Sequence, residues 1–169
     1  IKSLVSYAAE CGKCHYTLDA ANTWESRGGF WPYGEDQTQG RTLVELVRLR
    51  VAFHNQCRSC MAIRYASAAQ DVDENLVCSL EKPQEAADLS EAERAAIQFA
   101  DLFATDHLAI TDQRFDALRQ HFNEPEIVEL LLHLALYVGM GRLAATLDMT
   151  EELPSSFQAP FGEQVTPWG

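Results

Sequence analysis

The stretch Leu43-Val44-Glu45-Leu46-Val47-Arg48-Leu49-Arg50-Val51-Ala52-Phe53-His54-Asn55-Gln56-Cys57-Arg58-Ser59-Cys60 decides how this chain is read. Its first eleven residues carry apolar side chains at helical spacing. Thr42 is placed to cap them, with Glu45 at the third position as in a capping box. Asn55-Gln56 interrupts the pattern, and a second helix is expected over 57–70. Two thiols three residues apart at a helix start form a chemical device as well as a packing one. A helix N-terminus presents free N–H groups and partial positive charge, which favour thiolate over thiol. Positions i and i+3 of a helix lie roughly 5–6 Å apart at Cβ, and bridged Cα atoms lie about 4.4–6.8 Å apart. The pair is therefore placed to cycle between dithiol and disulfide.

Working outward, nearly every periodic signal is helical. Leu4, Ala8, Cys11, His15 and Leu18 fall on one helix face, and Glu25 to Gly40, rich in Gly and aromatics, reads as a loop. Residues 71–89 are polar and contain Pro83, with a helical turn expected around 74–79. Ser90 and Glu93 form a capping-box sequence ahead of Ala96, Phe99, Ala100 and Phe103. Thr111 or Asp112 opens a short helix bearing Phe115, Leu118 and Phe122. Pro125 suits the first turn of a last helix over about 125–148. That helix is apolar nearly all round and is expected to be buried on most sides, in part by an oligomer interface. No strand run stands out, so the fold class is all-α: a single helical domain over 1–153, then a Pro/Gly-containing tail over 154–169 that wraps or dangles.

Composition sets limits. The chain has 169 residues, 47% of them hydrophobic and 22% charged, enough for one core without staples. A formal net charge of −12 argues against nucleic acid or an anionic membrane as main partner, because both ask for basic patches. No run of about 18 apolar residues is expected to span a membrane. The first seven residues do not read as a signal peptide, and a cytoplasmic location is expected. Five cysteines, two pairs of them in Cys-x-x-Cys spacing, read better as redox or metal chemistry than as a secreted disulfide framework.

The arrangement of Glu45, eleven intervening residues and Cys57-x-x-Cys60 resembles the core motif of the carboxymuconolactone decarboxylase / AhpD-like alkylhydroperoxidase superfamily. Further similarity lies in Phe115-Asp116-Ala117-Leu118-Arg119-Gln120-His121-Phe122 and Glu126-Ile127-Val128-Glu129-Leu130, so that the likeness spans about 42–148. The resemblance implies an AhpD-like helical bundle, trimeric or hexameric, needing no cofactor. Its two cysteines would reduce hydroperoxides or pass electrons from a lipoylated or thiol redox protein to a peroxidase. The family pattern has a histidine four residues after the second cysteine, and the AhpD branch another just before it; here those positions are Arg64 and Ser59. Arginine stays protonated and cannot serve as the base.

The expected roles follow. Cys60, one turn before Arg64 on a shared helix face, would be the attacking thiolate, held by the guanidinium. Cys57 would resolve it and meet the reductant. Glu45 would move the proton, and His54 stands in for the missing imidazole. The competing readings are two small buried hydrophobes for the cysteines, a capping residue for Glu45, a solvated charge for Arg64 and a satisfied helix-end histidine for His54. A cofactor-free lyase of the decarboxylase type, holding an anionic lactone through Arg50 or Arg64, is the alternative activity. A non-enzymatic oligomer lacking the histidine relay is the third reading. Cys11-Gly12-Lys13-Cys14-His15 matches a haem-attachment pattern and could also form a second redox pair or a Cys/His metal site, but the same residues fit a helix face and packing or incidental thiols are the favoured reading. Cys78 is expected to pack beside its loop, and His133 to be a hydrogen-bonded core histidine.

Overall fold

The computed structural model describes residues 37–168 apart from 66, 67, 69, 149 and 161, and those residues contain helices and no strand. Helix α1 (Gln37–Asn55) is 19 residues long and starts six residues before the expected Leu43. Thr42 and Glu45 are thus interior to the helix, which corrects the capping-box reading. Gly40 does not stop it, since one helical Gly costs only about 1 kcal/mol against Ala. The helix ends where the sequence indicated, at a left-handed Gln56 with φ of 50°. The Gln56 N–H donates to Phe53 O and the Cys57 N–H to Ala52 O, both at 3.0 Å, the paired bonds of a Schellman ending.

Helix α2 (Arg58–Ala62) has five residues, far fewer than the 57–70 expected. The cause is tertiary. The Arg48 guanidinium takes the carbonyls of Cys60 and Ile63, and the Glu45 carboxylate takes the N–H of Tyr65. Ile63 is driven into an extended conformation, and the helical ladder ends there.

Helix α3 (Glu74–Ser79), capped by Asp73, and helix α4 (Glu91–Thr105), with the Ser90/Glu93 capping box formed, follow the sequence closely. Helix α5 (Asp112–Arg119) buries Leu118. Helix α6 (Glu124–Leu147) carries Pro125 in its first turn and a second capping box, Asn123 with Glu126, that the sequence reading passed over.

Helix α1 is the centre of the core and packs on both α4 and α6. Leu46, Val47, Leu49 and Val51 are sealed from solvent. They meet Ile97 and Ala100 of α4 and Leu130 and Leu134 of α6 in one cluster. The α1–α6 approach is close at Gly141. A methyl group there would overlap the Asn55 side-chain amide, which donates to Tyr137 O at 2.9 Å. Within this chain α6 is buried on one side only: Val128, Met140, Leu143 and Leu147 stay exposed. By length and composition α6 is apolar enough to cross a membrane, but its Ile127, Leu130 and Leu134 face is committed to the core. The tail wraps: Val165 is buried against Ala52 and Met61.

Candidate functional site

Cys57 and Cys60 are joined by a disulfide, with Cα atoms 5.2 Å apart. The Schellman ending of α1 delivers Cys57 to the N-cap of α2, where its Sγ accepts the Cys60 N–H at 3.3 Å. The Ser59 hydroxyl lies 3.6 Å from the same sulfur. Cys57 is 0% exposed, whereas Cys60 is only partly buried. Of the pair, only Cys60 meets solvent. Cys57, whose place at the helix start suggested contact with a reductant, is the sealed member of the pair.

Beneath the pair lies a buried salt bridge. Arg48 donates from Nε to Glu45 Oε2 at 2.6 Å and from Nη2 to Oε1 at 2.8 Å, and both residues are almost fully buried. The same guanidinium donates to Cys60 O at 2.6 Å and Ile63 O at 2.7 Å, and it stacks on the Tyr65 ring at 4.4 Å. Burial opposes the charge on Arg48, but the hydrogen bonds and attraction of Glu45 outweigh it, and its pKa is raised. Burial also lifts the Tyr65 phenol above its ordinary value, with the Arg48 charge acting against the rise. Glu45 is thus linked to the Cys60 backbone through Arg48, and its carboxylate is engaged by Arg48 and the Tyr65 N–H. The sequence reading missed Arg48. Its position three residues from Glu45, inside an otherwise apolar run, was the available signal.

Arg64 and His54 are placed elsewhere. Because α2 stops at Ala62, Arg64 shares no helix face with Cys60. Its guanidinium pairs with Glu74 at 2.9 and 3.0 Å and donates to the carbonyls of Met61, Ile63 and Pro167. His54 Nε2 lies 2.6 Å from Asp101 Oδ1 on α4, and Arg50 donates to both oxygens of that carboxylate. Burial pushes the Asp101 pKa up, but the bonds from His54 and Arg50 prevail and leave it below the ordinary value. Asp101 gave no sequence signal, because only the packing of α4 on α1 brings it to His54.

Cys11, Cys14 and His15 lie outside the described residues. Among the described residues no His, Cys, Asp and Glu cluster has the form of a metal site. Cys78 is a free, exposed thiol whose Sγ lies 3.6 Å from Trp168 O. His133 is a core histidine as expected, with Nδ1 3.2 Å from the Tyr137 hydroxyl, and burial holds its pKa well below 6.5. Comparison with known proteins found no matching family model, no matching curated protein and no matching solved structure.

Proposed function

We propose that this chain is a thiol-disulfide oxidoreductase of the AhpD-like type, acting on hydroperoxides through Cys57 and Cys60. The observation that carries the reading is the asymmetry of the pair: Cys57 is sealed, Cys60 is partly exposed, and the buried Glu45–Arg48 bridge holds the Cys60 backbone carbonyl. In the reduced protein the Cys60 thiolate attacks the terminal peroxide oxygen. The O–O bond breaks, the alcohol leaves with a proton, and Cys60 becomes a sulfenic acid. The Cys57 sulfur then attacks that sulfur, water leaves, and the disulfide is restored. Two electrons from a dithiol, either a lipoylated or a thiol redox protein, reopen it. Arg48 acts as a positioning residue, since it holds the backbone carbonyl of Cys60. A homo-oligomer, trimer or hexamer, belongs to the same proposal; the exposed apolar side of α6 supports it.

The engagement of Arg64 by Glu74 and of His54 by Asp101 favours the non-enzymatic alternative, in which the fold persists without a proton relay. One experiment separates the two readings. The protein is reduced, freed of reductant and mixed with an organic hydroperoxide, and the thiols are counted by mass spectrometry. The expected result is stoichiometric return of the Cys57–Cys60 disulfide with one alcohol formed, lost in Cys60→Ser. Thiols that survive a peroxide excess would refute the oxidoreductase reading.

A further inference from the structure

Much of the C-terminal tail is tied down by residues in or near the Cys-x-x-Cys loop, while Trp168 at its end also meets Cys78 and Arg50. Arg58, the residue after Cys57, donates to Ala159 O and, at 2.8 Å, to Pro160 O. Gln56, the residue before it, exchanges two bonds with Val165: its Nε2 donates to Val165 O at 3.2 Å and its Oε1 accepts the Val165 N–H at 3.0 Å. Arg64 Nη2 donates to Pro167 O at 3.1 Å, and the Trp168 ring lies 4.7 Å from that of Phe53. Val165, Phe157 and Ala159 then pack with Ala52, Phe53, Met61 and Cys60 in one small apolar cluster, separate from the main core. Cys60, the partly exposed cysteine, therefore packs in the same cluster as three residues of the tail.

We propose that residues 154–160 and 162–168 form a strap that gates thiol exchange at Cys60. The inference rests on the redox reading of the pair. A thiolate of a dithiol reductant must reach the Cys60 sulfur. It forms a mixed disulfide there, and the broken S–S bond leaves its electron pair on Cys57, which takes a proton. The second reductant thiol then attacks the mixed disulfide, takes the bond to itself and releases Cys60 as a thiolate, so that two electrons have entered the protein. With Val165 and Phe157 in place the approach to Cys60 is narrowed, and exchange proceeds from the population in which the strap has lifted. Apolar contacts and five carbonyl or amide bonds make that population small without making it inaccessible.

The test is the rate of Cys57–Cys60 reduction by dithiothreitol, in the full-length protein, followed by acid quenching and mass spectrometry. Two variants loosen the strap from opposite sides. The double change Phe157→Ala with Val165→Ala removes its apolar grip. Gln56→Gly removes both bonds to Val165 and leaves a residue at ease with positive φ. The expected result is reduction at least fivefold faster in either variant that keeps the wild-type far-UV circular dichroism. A change below fivefold in every variant that does so overturns the gate. The measurement uses no peroxide, so failure of the gate and failure of the peroxidase reading are distinguishable.

Discussion

Arg48→Met is the change that most directly probes how the site is built. The Arg48 side chain is about 5% exposed and makes four hydrogen bonds, two to Glu45 and one each to Cys60 O and Ile63 O. Removing one member of a buried pair leaves an uncompensated charge and costs about 3–5 kcal/mol. Against a total of about 5–15 kcal/mol for a domain of ordinary stability, the variant is expected to retain its fold with a much lower unfolding midpoint. The informative comparison is Glu45→Leu with Arg48→Met. For an isolated ion pair, replacement of both members by apolar residues is often neutral or stabilising. Here the double variant also strips partners from Cys60 O, Ile63 O and the Tyr65 N–H. Those groups lie near the surface and can recruit water, so each loss should sit at the low end of about 1–3 kcal/mol. The double variant should therefore remain about 2–3 kcal/mol less stable than wild type, and the segment after Ala62 should gain hydrogen exchange. Urea unfolding of the oxidised protein, followed by circular dichroism, measures both variants. A double variant as stable as wild type would refute the view that this bridge organises the Cys-x-x-Cys segment.

Three further substitutions test the core and the α1–α6 packing. His133 is buried with a depressed pKa, so the unfolded chain binds its proton first as pH falls. Stability should be fully present above the unfolded value near 6.5 and decline below it, by up to about 1.4 kcal/mol per pH unit from this group. His133→Gln should flatten the slope of stability between pH 6.5 and 5; an unchanged slope counts against the assignment. Two glycines of α6 should respond with opposite sign. Gly141→Ala forces its methyl into the Asn55 amide and should cost about 1–3 kcal/mol. Gly139→Ala meets nothing within 4 Å and should stabilise by about 0.5–1 kcal/mol through helix propensity alone. Thermal melts of the two variants moving in the same direction would contradict the α1–α6 packing.

Local chemistry made much of this architecture readable without coordinates. Ser90 with Glu93, Pro125, and the break at Asn55-Gln56 are signals confined to a few neighbouring residues, and the helices they punctuate form where those signals lie. The Cys57–Cys60 pairing belongs to the same class, because a three-residue separation at a helix start brings the two sulfurs within bonding reach before any tertiary contact is made. The sequence by itself therefore determined the helices of the described residues and a Cys57–Cys60 pair placed after the central one. Tertiary structure alone decided what surrounds that device. A guanidinium or carboxylate bonds whichever group the packing presents to it, and those partners lie far apart along the chain. Arg48 reached forward to end α2 early, Arg64 turned to Glu74, His54 was taken by Asp101, and the tail returned to pack in one cluster with Cys60. Helical spacing specifies which residues share a face, but it cannot specify which of two cysteines is sealed. That depends on what packs against each residue, and here Cys57 is sealed while Cys60 stays partly exposed.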